Sequence, residues 1–127
     1  MHETVFASSL LRIVLEEAKR HETQGAALQV KHVRLRAGLL ACVEAHTLTG
    51  CFSLLAEGTP AEGATLEVVV EPLTGHCPAC KASVSTTSRR FSCPQCGGEG
   101  VRWAEGNQLY IDTIKVAPYG TAVQAVT

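Results

Sequence analysis

With 127 residues, a hydrophobic share of 46% and a charged share of 18%, the chain has the make-up of an ordinary globular protein, long enough for one modest core and a small appended module. A net charge of −1 gives no general attraction to nucleic acid or an anionic membrane, and no apolar run is long enough to span a bilayer. Met1-His2-Glu3 has neither a basic start nor a following apolar run, so we expect no secretory leader. Six cysteines then point to metal ligation in a reducing cytoplasm, not to a disulfide framework.

The first element is a helix from Thr4 to about His21. Phe6, Leu10, Ile13, Val14 and Glu17 recur at three- and four-residue spacings, Leu11, Leu15 and Ala18 widen the apolar face, and Gly25 ends the segment. A strand is expected from Leu28 to Ala37. Val33, Leu35 and Ala37 alternate there with Arg34 and Arg36, while Leu28 and Val30 fall out of phase, as a bulge or a later start near Lys31 would produce. A second helix runs from about Glu44 to Glu57, with Leu48, Cys51, Phe52 and Leu55 as its buried stripe and Gly58-Thr59-Pro60 as its stop. Thr65–Glu71 follows as a second strand, and Val69 on its other face suggests a more central place in the sheet than the first. A third strand is expected from Gln108 to Val116. The tail beyond Pro118 has no periodicity and is expected to fray.

Between the last two strands lies Cys77-Pro78-Ala79-Cys80, then, after a twelve-residue spacer, Cys93-Pro94-Gln95-Cys96. Two Cys-x-x-Cys pairs at this separation bring four thiolates around one point, which suits a structural zinc ion better than iron. The alternative, two disulfides, requires an oxidising compartment. The fold class is therefore α+β: a small two-layer domain of three strands and two helices over residues 1–72, completed by a strand at 106–117. A zinc ribbon is inserted at 73–105, and 118–127 form a tail.

A histidine second from a free amine, as His2 is, can chelate a metal through the amine, its own amide nitrogen and its imidazole. That planar field suits Ni(II) or Cu(II) and not zinc. Taken alone, the pattern is more simply that of a chain start that happens to contain a histidine. His76, beside Cys77, reads as an alternate ligand to the ribbon metal or as a loop histidine. Cys42, Glu44 and His46 form a possible cluster, although Cys42 and Cys51 are more simply buried small hydrophobes, and His21 and His32 read as surface residues. No nucleophile is paired with a base by any motif, and four cysteines leave no open coordination position, so no enzyme is expected. Lys81, Arg89, Arg90, Phe91, Arg102 and Trp103 make the ribbon locally basic and aromatic. An alternative function is thus a nucleic-acid-binding ribbon, or an adaptor that docks proteins.

The chain resembles the HypA/HybF family of hydrogenase nickel-incorporation proteins. The resemblance rests on Met1-His2-Glu3, Val33-Arg34-Leu35-Arg36-Ala37-Gly38, Cys42-Val43-Glu44, Cys51-Phe52, Gly58-Thr59, Glu62-Gly63-Ala64 and both Cys-x-x-Cys pairs. It continues through Gly106-Asn107-Gln108-Leu109 and Ile114-Lys115-Val116. It implies a nickel metallochaperone that takes Ni(II) at its amino terminus, with the Met1 amine, the His2 imidazole and backbone nitrogens up to Glu3 as ligands, while Cys77, Cys80, Cys93 and Cys96 hold Zn(II). It also implies delivery to the large subunit of [NiFe]-hydrogenase, and in some bacteria urease, with a nickel-binding GTPase as partner. We expect a cytoplasmic monomer or weak homodimer that uses neither nucleic acid nor membrane.

Overall fold

The computed structural model describes residues 3–22, 27–88 and 90–119 and the backbone of 124–125. The first helix, α1 (Glu3–Arg20), has Glu3 in its first turn and Lys19 and Arg20 in its last, each charge matching the helix dipole. Its buried stripe is Ala7, Leu10, Leu11, Val14 and Ala18, so Ile13, expected on that face, is 45% exposed instead. After β1 (Leu28–Gly38) and one short 3-10 turn comes α2 (Ala45–Ala56). Glu44 caps α2, its carboxylate accepting from the N–H of Thr47 at 2.6 Å and of His46 at 3.3 Å. These bonds, those from Thr47 foremost, hold the Glu44 carboxyl below the usual carboxylate range. Leu48, Phe52 and Ala56 are the buried face of α2, and Leu55 turns outward. The stripe therefore follows i, i+4, i+8, one position narrower than the sequence suggests.

The remaining strands are β2 (Thr65–Glu71), β3 (Leu73–His76), β4 (Ser83–Thr86), β5 (Arg102–Trp103), β6 (Leu109–Pro118) and β7 (Gln124–Ala125). They form a four-stranded sheet in the order β2-β1-β6-β7 and a three-stranded sheet in the order β4-β3-β5. The expected α+β class holds, with two helices and two small sheets. Two local expectations do not. β2 is an outer strand of its sheet, not a central one, and Val70 is accordingly 46% exposed. The tail contributes β7, which pairs antiparallel to β6 through Lys115 with Ala125 and Val116 with Gln124. β1 begins at Leu28, and its buried phase slips at Lys31-His32, between Val30 and Val33.

The chain divides into two compact units: Met1–Leu35, Val43–Val68 and Tyr110–Thr127 in one, Arg36–Cys42 and Val69–Leu109 in the other. In the first, α1 packs against α2, and the core is drawn from their buried faces together with Val30, Val33, Leu35, Ile114 and Val116. The outward side chains carry a charged ladder. Glu67 accepts from His32 at 3.0 Å and from the Arg34 Nε at 3.1 Å, and Arg34 reaches Asp112 at 3.5 Å. His32 is thus not a free surface residue. The second unit is built on β3, whose neighbours β4 and β5 both run antiparallel to it.

Phe52 is fully buried, so Phe52→Ala is expected to remove about 3–5 kcal/mol of stability, read as a fall in urea midpoint at unchanged slope. The Arg34 guanidinium, and after it His32, hold the Glu67 carboxyl low in the folded state. With the folded value below the unfolded one, near about 4.3, Glu67 adds stability that is complete above that pH. The contribution is lost as pH falls towards the folded value. Melting temperature should therefore fall less steeply on acidification in Glu67→Gln than in the wild type.

Candidate metal centre

Each Cys-x-x-Cys pair closes a tight turn, and the two turns repeat one another atom for atom. In the first, the Lys81 N–H donates to the Cys77 carbonyl at 2.7 Å and the Cys77 N–H to the Ala82 carbonyl at 3.0 Å. In the second, Gly97 donates to Cys93 at 2.8 Å and Cys93 to Gly98 at 2.8 Å. The residue after the second cysteine is left-handed in both, Gly97 at φ 73° and Lys81 at φ 61°. Glycine takes that conformation without penalty, whereas lysine brings a Cβ into it.

The turns aim backbone donors at sulfur. Gln95 and Cys96 donate to the Cys93 Sγ at 3.4 and 3.5 Å, Gly98 donates to the Cys96 Sγ at 3.4 Å, and Ala82 supplies the matching N–H to Cys80. The four sulfurs converge: Cys77 and Cys96 stand 3.8 Å apart, Cys80 and Cys93 3.7 Å, and all four lie within 4.8 Å of one another. The 3.7 and 3.8 Å separations are far beyond a bonded sulfur pair and match the edge of about 3.8 Å that a tetrahedron of Zn–S bonds near 2.3 Å demands.

The electrostatics of the cluster favour a cation. N–H groups of Cys96, then Gln95, pull the Cys93 thiol down to about 7 against the opposing effect of burial. At Cys80 the largest single influence, the Ala82 N–H, also favours the thiolate. Burial and the three neighbouring thiols together outweigh it and push Cys80 up to about 11. One thiolate forms readily in this cluster and four do not, unless a divalent ion compensates their charge. The donor set, its closed shell and the sulfur separations fit a structural zinc site.

Cys77 and Cys93 are buried and form a small apolar cluster with Val84 and Val101, flanked by Ala82 and Trp103. Trp103 is held by Phe91, edge to face at 6.5 Å between centroids, and by its fit over Gly75. A Cβ at Gly75 would meet the Trp103 Cε3 at 2.8 Å and the Arg102 carbonyl oxygen at 2.7 Å. His76 stands outside the sulfur cluster, exposed on β3. Glu44 serves as a helix cap, His46 is exposed, and Cys42 is exposed rather than buried, with a left-handed backbone. Cys51 is half-buried, its thiol 3.6 Å from the Thr4 hydroxyl. Arg102 and Trp103 are neighbours on β5, and both line one open groove together with Thr74, His76 and Ser83. Arg89, Met1 and His2 lie outside the described residues, and Glu3 is the first residue of α1.

A family model described as hydrogenase/urease nickel incorporation, metallochaperone, HypA, matches residues 1–116. The chain belongs to the HypA family. Relatives named hydrogenase maturation factor HypA include one from Azotobacter chroococcum, 35% identical over 91% of this chain and 99% of the relative. Another, from Acidithiobacillus ferrooxidans, is 36% identical over 91% and 99%. The solution structure of the nickel metallochaperone HypA from Helicobacter pylori has the same fold, with a TM-score of 0.56, covering 90% of this chain and 96% of that one at 21% identity. The HypA family is one of metal carriers and not of catalysts, and its match takes in Met1-His2-Glu3 together with both cysteine pairs. Among the described residues no helix is long and apolar enough to cross a membrane.

The donor of the left-handed turn separates the two halves of the HypA metal centre in a testable way. Gly97→Ala is expected to weaken zinc retention against a chelator, whereas Lys81→Gly, which relieves the same conformation in the other turn, leaves retention equal or stronger. Cys77→Ala should lose stoichiometric zinc, and with it the near-ultraviolet circular dichroism of Trp103, while far-ultraviolet helicity persists.

Proposed function

We propose that this protein is a non-enzymatic cytoplasmic nickel carrier that binds Ni(II) at its amino terminus and yields it during maturation of [NiFe]-hydrogenase, with urease as a further client. The observation that carries the proposal is the family match from residue 1 to residue 116. In this reading the Met1 amine, the His2 imidazole and the amide nitrogens of His2 and Glu3 enclose nickel in a plane. Cys77, Cys80, Cys93 and Cys96 keep zinc as a structural ion. Residues 1–72, completed by 106–117, act as the nickel domain, and 73–105 as the zinc ribbon. A nickel-binding GTPase and the hydrogenase large subunit are the partners.

The chemistry separates the two metals. Four thiolates satisfy a zinc ion that has no geometric preference of its own, whereas nitrogen donors in one plane suit the d-electrons of Ni(II). A site at a chain terminus can lose its ligands one at a time, which is what handing on a metal by ligand exchange requires. The amine and imidazole must be free of protons to bind, so nickel affinity is expected to fall as pH drops from about 7.5 to about 6.

Isothermal titration of Ni(II) into untagged, zinc-loaded protein should show one site that His2→Ala and amino-terminal acetylation both remove, with zinc content unchanged. Stoichiometric nickel binding retained by His2→Ala would overturn the proposal.

A further inference from the structure

Ile13 falls on the apolar period of α1 with Leu10, Val14 and Glu17, yet it is 45% exposed while Leu10 and Val14 are buried. It borders a groove of about 220 Å³ between α1 and β6, lined by Ile13, Glu17, Ile111 and Ile114. Three of these four residues are isoleucine. The fourth is already engaged, since the Glu17 carboxylate meets Arg20 at 2.9 Å and His21 at 3.4 Å. The groove lies below the size range of small-molecule sites and presents aliphatic walls. An aliphatic side chain suits it better than a polar ligand.

β7 shows which side chain that is. It lies beside β6 at the outer edge of the sheet, with Lys115 paired to Ala125 and Val116 to Gln124. Two residue pairs are fewer than a strand ordinarily makes, so β7 needs a further contact to hold its place. Residues opposed in an antiparallel ladder share a face. On β6 the core face is marked by Val116 and Ile114, at 0% and 1% exposure, and Ile114 also lines the groove. The HypA match stops at residue 116, so β7 lies outside the stretch shared with the family.

We propose that the groove is a docking site for the chain's own segment 124–127. Val126 carries the β6–β7 register one step further, stands opposite Ile114, and packs its side chain against Ile13 and Ile114. Valine is branched at Cβ and favours a strand, and its methyl groups match the isoleucines. The segment is thus a strap that ties β6 to α1, closing from within the chain an apolar groove that a partner could otherwise enter. The strap owes nothing to either metal.

The test uses the full-length, zinc-loaded protein. Nuclear Overhauser contacts are expected between the methyl groups of Val126 and those of Ile13 and Ile114, within one chain. Val126→Asp would bring a second carboxylate beside Glu17 and is expected to speed hydrogen exchange of the β6 amides that face β7 about tenfold. Val126→Ile should leave that exchange as slow as in the wild type. Absence of the methyl contacts, or exchange in Val126→Asp equal to that of Val126→Ile, would overturn the proposal. So would contacts found only between isotope-labelled and unlabelled copies, which would make a second copy the occupant.

Discussion

Four sulfurs meeting at one point is the constraint on which the second unit depends. The buried cluster around them is Cys77, Val84, Cys93 and Val101, so half of that cluster's side chains are also metal ligands. A cluster this small buries too little apolar surface to order its turns and short strands unaided. This apolar cluster and the metal centre are therefore one object, and losing the ion removes the middle of the cluster along with its charge compensation. The backbone N–H groups aimed at Cys93 and Cys96 work in the same direction, since they stabilise thiolate charge that only a cation makes tolerable at this density.

The cysteine centre was the most legible feature of the chain because two-residue spacing fixes the turn and the turn fixes the sulfurs. Both helices were legible from their periodicity, but the faces they bury were read slightly wrong. Several apolar residues crowd each stripe, so burial is decided by the partner surface, which left Ile13 and Leu55 outside and took in Ala7 and Ala56. Sheet order was not legible at all. Nothing local in Thr65–Glu71 states that this segment is an outer strand, because strand neighbours are set by residues distant in the chain. The left-handed Lys81 was invisible for the opposite reason. Propensity reserves that conformation for glycine, and here the demands of the turn overrode it.

The candidate nickel ligands and the thiolate cluster differ in kind as well as in place. A closed tetrahedral shell held by paired turns resists exchange, and its donors are fixed by the fold around them. Amine, amide and imidazole nitrogens at a chain end, as the proposed carrier would use, owe little to tertiary packing and can be taken over singly by an incoming ligand. One chain can on this basis hold two divalent ions with opposite kinetic needs, provided that softness and geometry keep each ion in its own site.

The ladder of His32, Glu67, Arg34 and Asp112 draws together positions 33 and 78 residues apart in sequence, on three different strands. Side chains alternate strictly across a strand, so sliding β1 by a single residue would carry Arg34 to the core side and bring Val33 or Leu35 out to water. A mispaired sheet would thus break every ion pair of the ladder at once and expose the core in the same motion. The ladder acts as a proofreading device on strand alignment, and its worth lies more in the alternatives it penalises than in the native state it holds.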